Sequence, residues 1–435
     1  MQGALTSVLT SDRLRDARRA TQRAARRLKR KGRIAHFFCQ IDDPYGPLAL
    51  HFLERLADRY GLGITWHLVP APDAAAAPEA ARLAEYSRRD AARLAQALGI
   101  DDGAAVGVPE PQQVARAQRI AAAALTGQDP ATALAAITRA LLGTNADTAL
   151  DALTTHHGEA DPHGALMQGA AERERLGHYL GSTTAFEGEF YWGVDRLHHL
   201  EARLAAEDGA ALPRLCPVLD PGPFPAALPV VATPPRLDVY LSFRSPYSLV
   251  AAERIGALAA AYGADLRLKF VLPMVMRGLP VPRAKRLYIT LDTKREAARH
   301  GIAFGTIHDP VGSGVERGLA VLHRVMPTGK GLDFAISFLR GAFAEGIDMT
   351  TERCLMTVAA RAGVTADEVR DALADERWRA VAEANRADMF ALGLWGVPSF
   401  QVDDRPGWWG QDRLWMVEDD LRAATGLPPI DRRMA

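Results

Sequence analysis

The sequence predicts an α/β protein built from two tandem copies of one fold, each a strand-helix-strand unit carrying a helical insertion. Three observations predict it. The stretch "IAHFFCQIDDPYGPLALHFLERLADRYGLGITWHLV" (34–69) and the stretch "LDVYLSFRSPYSLVAAERIGALAAAYGADLRLKFVL" (237–272) share one plan: strand, Pro-Tyr turn, amphipathic helix, Tyr-Gly, strand. Pro44-Tyr45 and Tyr60-Gly61 recur 202 residues later as Pro246-Tyr247 and Tyr262-Gly263. Further on, "YWGVDRLHHLEARL" (191–204) recurs as "WWGQDRLWMVEDDL" (408–421), with Trp192-Gly193 displaced by 217 residues to Trp409-Gly410. Two matches in the same order mark an internal repeat.

Each element follows from local pattern. A short apolar strand, a helix and a second strand imply a parallel pair with a right-handed crossover. A long Ala-rich helical block follows, roughly 76–180 in the first copy and 282–394 in the second; a short strand, a turn and a last helix close each copy. Between the copies, the Pro-dense segment 212–235 reads as an extended connector. The expected division is a basic N-terminal helix over 1–33, a first domain over 34–210, a linker over 211–236 and a second domain over 237–435.

Composition sets bounds. The chain has 435 residues, 48% of them hydrophobic, with 52 basic and 52 acidic side chains, so no global field favours nucleic acid. It has three cysteines, Cys39, Cys216 and Cys354, none near another, which excludes a Cys-x-x-Cys pair and a cysteine-based zinc site and suits a reducing cytoplasm. Cys354 is expected to be a buried, inert thiol. No apolar run is long enough to cross a bilayer. The basic N-terminal stretch reads as a helix from about Ser11 to Lys31, solvated or frayed. The loop containing His156, His157 and His163 reads as polar rather than metal-binding, and His198-His199 lie on the last helix of the first copy. There is no P-loop, Gly-x-Gly-x-x-Gly or Gly-x-Ser-x-Gly.

The second copy resembles a known family. "SPYS" after its first strand, "PRAKRLYITLDTKREAARHGI" (282–302), "LWGVPSF" (394–400) and "WWGQDRL" (408–414) are similar, in order, to the DsbA-like branch of the thioredoxin superfamily. The resemblance is greatest to 2-hydroxychromene-2-carboxylate isomerases and kappa-class glutathione transferases. It implies two tandem thioredoxin-like folds of the DsbA-like kind. It also implies glutathione as cofactor and a small aromatic-derived electrophile as substrate, with isomerisation or transfer left open. Related enzymes form dimers, so the two copies are expected to act as a pseudo-dimer within one chain, with a homodimer the other possibility.

The resemblance assigns roles residue by residue. Ser245 faces the glutathione sulfur; its hydroxyl and the helix N-terminus favour the thiolate, while on spacing alone it is a helix cap. Ser248 is inside the helix, a packing or secondary polar residue. Val397-Pro398 is expected to be cis, with the Val397 N–H and C=O pairing with the ligand's peptide. Gln411 and Asp412 open the last helix and hold the γ-glutamyl end, Asp412 on the α-amino group; a plain N-cap is the alternative. Lys285, Tyr288, Asp292 and Arg295 share one helix face, where substrate contact by Lys285 and Tyr288, beside Tyr247 and Ser248, stands against a solvated, ion-paired face. The lead "GLPVPRAK" lacks the Asn that related isomerases place there.

The first copy has Asp43 where Ser245 stands and Gly46 where Ser248 stands. Its "YLGSTTAF" (179–186) aligns with "LWGVPSF" so that Thr184 replaces Pro398, while Asp195 keeps the place of Asp412. It is expected to be degenerate and mainly structural. The rival function is a non-catalytic glutathione-binding or assembly protein. A third reading, thiol-disulfide exchange, is opposed by the missing Cys-x-x-Cys.

Overall fold

The computed structural model describes residues 2–100, 107–209, 214–222, 224–225 and 231–432. The expected linker over 211–236 falls partly outside them. The chain divides into two compact units, one of residues 1–17 and 220–430, the other of 18–219 and 431–435.

The N-terminal unit holds a four-stranded mixed sheet of order β2-β1-β3-β4, with β1 Arg33–Cys39, β2 Leu62–Leu68, β3 Thr183–Phe186 and β4 Glu189–Trp192. β1 runs parallel to β2 through the helix Gly46–Tyr60 and antiparallel to β3. The C-terminal unit repeats the order as β6-β5-β7-β8, with β5 Arg236–Leu241, β6 Asp265–Phe270, β7 Ser399–Val402 and β8 Trp408–Trp409. Its crossover helix is Pro246–Ala261. Pro246 occupies the first helical turn, where its missing N–H costs nothing. The repeated Tyr-Gly has a conformational cause: Gly61 and Gly263 stop the chain in the left-handed region at φ 58° and 61°.

Helices fill the interval between the second and third strand of each sheet. They run from Ala80–Leu98 to His163–Leu176 in one unit and from Arg283–Arg299 to Trp378–Ala391 in the other. The second insertion packs onto the start of its unit, where Phe243, just after β5, stacks on Phe338 with ring centroids 4.1 Å apart. A Cβ at Gly318 would lie 2.5 Å from the Phe338 ring, so only glycine admits this approach. No helix among the described residues is long and apolar enough to cross a membrane.

Three expectations need correction. The basic helix spans Asp12–Leu28, and its arginines are not simply solvated. Arg19 grips Glu189 through two bonds of 2.6 and 2.7 Å, and Arg26 pairs with Glu187 and Glu207, because acidic residues of the β3-β4 hairpin and of the helix Leu197–Asp208 face it. Cys354 is half-buried rather than buried, since it sits in the first turn of the helix Glu352–Arg361.

The third concerns register. Phe38 pairs with Thr183, as Tyr240 pairs with Ser399. The residue standing at the place of Pro398 is therefore Ser182, not Thr184. The Gly193 N–H donates to the Ser182 carbonyl at 2.9 Å, as Gly410 N–H donates to Pro398 at 2.9 Å. A two-residue shift keeps every strand side chain on its face, so the sequence pattern could not resolve it.

Candidate functional site

Ser245 ends the loop after β5 and caps the helix Pro246–Ala261, its Oγ accepting the Ser248 N–H at 3.2 Å. The same hydroxyl donates to the Val397 carbonyl at 3.2 Å. The capping role is thus real, and it coexists with a contact to the residue preceding the expected cis bond. Val397-Pro398 is cis. Val397 is half-buried, and its N–H has no hydrogen-bond partner among the described residues. A Cβ at Gly396 would lie 2.5 Å from the Trp409 indole nitrogen, so glycine is needed for this loop to lie against that ring. Ser248 is fully buried and accepts the Ser242 N–H at 3.3 Å, which makes it a packing residue.

Gln411 and Asp412 lie in a 3₁₀ turn that leads into the helix Leu414–Ala424. The Gly410 bond to Pro398 ties this turn to the cis-proline loop. The Gln411 side chain is buried and committed internally: its Oε1 accepts Arg254 at 3.0 Å and its Nε2 donates to Glu296 at 2.7 Å. Arg254 also grips Asp220 at 2.7 Å. Gln411 therefore fixes the turn, and Asp412, half-buried, is the member of the pair with a partly accessible carboxylate. The sequence reading missed this network, whose members are scattered over the chain.

The Lys285 row is not a solvated face. Asp292 is fully buried and Tyr288 nearly so. Asp292 accepts the Tyr247 hydroxyl at 2.6 Å and the Arg295 guanidinium at 2.7 Å, and the Tyr247 bond joins the SPYS turn to the helix Arg283–Arg299. Burial pushes the Lys285 ammonium below the usual lysine value.

The N-terminal unit repeats this tie. Tyr45 donates to the buried Asp90 at 2.7 Å and Tyr86 does so at 3.0 Å. Tyr45, Tyr86, Asp90 and Arg93 precede Tyr247, Tyr288, Asp292 and Arg295 by the same 202 residues. That shared spacing was the available signal. Lys285 has no such counterpart, since Leu83 stands there. Asp43, in the place of Ser245, accepts the Tyr45 N–H at 3.0 Å, and burial pushes its carboxyl up to about 6. The buried Cys39 and Cys216 thiols are likewise pushed up by desolvation, away from the reactive thiolate.

Residues 236–422 match the family model of the DSBA-like thioredoxin domain. This part of the chain is a DsbA-like thioredoxin domain. The chain is also similar to solved structures. One is 2-hydroxychromene-2-carboxylate isomerase, with 22% identity and a TM-score of 0.37 over 44% of this chain and 94% of that one. The cytosolic disulfide reductase DsbM from Pseudomonas aeruginosa has 22% identity and a TM-score of 0.36 over 44% of this chain and 97% of that one. Its structure with glutathione (GSH) has 21% identity and a TM-score of 0.33 over 44% and 97%. No curated protein matches the chain. The DsbA-like domain here has Ser245 and Ser248 at the ends of its turn motif, and no Cys-x-x-Cys.

Proposed function

We propose that the DsbA-like domain binds glutathione between the Ser245 turn and the Val397-Pro398 loop and acts as a glutathione-dependent isomerase or transferase. The observation that carries the reading is the Ser245 hydroxyl, held on the Val397 carbonyl at 3.2 Å beside a Val397 N–H with no partner among the described residues. The residues fit a peptide-like thiol. An extended ligand backbone could take both Val397 groups, as an added strand does. A ligand N–H on the Val397 carbonyl would release the one proton that Ser245 donates. That hydroxyl, together with the positive end of the helix Pro246–Ala261, can then stabilise a thiolate. In this reading Asp412 pairs with the ligand's ammonium group.

Bound there, glutathione supplies the nucleophilic sulfur that the turn lacks, for attack on an aromatic-derived electrophile. Lys285, half-buried and with a lowered pKa, and Tyr288 are the groups proposed to face that substrate. Thiol-disulfide exchange lacks support, because none of the chain's cysteines lies in the turn.

The test is the ionisation of bound glutathione, followed by ultraviolet thiolate absorption against pH. A hydrogen bond to a charged group is worth about 1.5–3 kcal/mol. Ser245→Ala should therefore raise the bound thiol's pKa by about one to two units. The lost cap costs only about 1 kcal/mol, so the variant should fold. An unchanged thiol pKa would leave Ser245 as a cap alone. Glutathione binding without turnover of any aromatic electrophile would favour the non-catalytic binding protein.

A further inference from the structure

One cluster in the N-terminal unit lies outside everything described above. His36 on β1 and His67 on β2 stack with ring centroids 5.2 Å apart, and His36 Nδ1 lies 2.9 Å from His67 Nε2. Glu172, on the helix His163–Leu176, has a carboxylate oxygen 3.8 Å from His36 Nδ1. The His36 and Glu172 side chains remain 29% and 22% exposed, so solvent reaches the cluster. Arg175 also holds Glu172, at 2.6 Å, but the Arg175 side chain is 66% exposed and such a pair is weak.

The C-terminal unit shows what these three positions do. Asp238, Lys269 and Asp388 stand where His36, His67 and Glu172 stand, 202 residues on for the strand positions and 216 for the helix position. The latter is the spacing that relates Ser182 to Pro398. There the Lys269 ammonium lies between two carboxylates, 3.1 Å from Asp238 and 2.5 Å from Asp388, and ties the helix to the sheet. The N-terminal unit keeps a carboxylate on the helix and has imidazoles in place of both the Asp238 carboxylate and the Lys269 ammonium. Burial lowers the pKa of both histidines, so at neutral pH they carry no charge to replace it and have lone pairs available for a metal.

We propose that His36, His67 and Glu172 bind a divalent transition-metal cation, which takes the place that the Lys269 ammonium holds in the C-terminal unit. Two neutral imidazoles and one carboxylate suit zinc, cobalt or nickel rather than magnesium or calcium. The shared proton between the rings would be displaced, and Glu172 would turn from Arg175 to the ion.

The test uses the full chain, stripped with a chelator and titrated with cobalt(II), read by its visible absorption and by the rise in Tm with zinc(II). One equivalent should bind, and both signals should be lost in His36→Gln and in His67→Gln. A His156→Gln, His157→Gln control should keep them. Should the single variants fail to fold, the paired change His36→Asp with His67→Lys transplants the ion triad of the other unit. It should fold without binding cobalt. Binding that survives in the single variants or the transplant, or no binding at millimolar metal, overturns the proposal.

Discussion

Ser245 and Asp43 occupy the same place in two copies of one turn, and they meet opposite electrostatics. The Ser245 hydroxyl is neutral, so it can accept a cap bond and donate to Val397 at once. Asp43 brings a carboxyl that burial pushes up to about 6, above the ~3.9 of an unfolded chain. A raised carboxyl pKa means that the native state holds the proton more tightly. Its contribution to stability is present below the unfolded pKa and is lost as pH rises through about 6. Asp43→Asn should therefore raise the Tm of the N-terminal unit at pH 7 and give no gain near pH 4. Equal effects at both pH values would show that the carboxyl is not held protonated. Asp43 was legible in the sequence as a departure from the motif. Its displaced pKa was not, because burial is set by residues distant in the chain.

The Tyr247 bond to Asp292 ties the turn after β5 to the helix after β6, and the Tyr45 bond to Asp90 makes the same tie in the N-terminal unit. A tie kept in the copy that has lost the serine and the cis-proline is architectural. Removing a buried hydrogen bond to a charged group costs about 1.5–3 kcal/mol. Tyr247→Phe should therefore cost that much in denaturant unfolding, and amide exchange should quicken over the helix Arg283–Arg299. Full stability in Tyr247→Phe would return Tyr247 to the substrate side alone. At this scale the sequence was read well where a turn residue punctuates it. Pro44-Tyr45, Pro246-Tyr247 and Tyr-Gly revealed the repeat, and the family resemblance at Val397-Pro398 pointed to the cis bond. The reading failed inside regular elements. Tyr86 and Asp90 lie in an Ala-rich helix that looked like filler, and the period of β3 allowed a two-residue slip.

Across the whole molecule, the two units separate architecture from chemistry. They share strand order, the Tyr-Asp tie, and the Gly193 and Gly410 bonds to the residue before the third strand. Among the described residues, the C-terminal unit alone has Ser245 in the turn, a cis Val397-Pro398, Lys285 and the buried Gln411-Arg254-Asp220 network. The hydroxyl and the cis-proline loop that the account asks of glutathione binding lie on that second list, while Asp412 has Asp195 as its counterpart. The proposed site therefore predicts one glutathione per intact chain, despite two copies of the fold. The direct measurement is calorimetric titration of the full chain with glutathione. The account predicts one equivalent bound per chain. No heat at millimolar glutathione, or two equivalents, would contradict it.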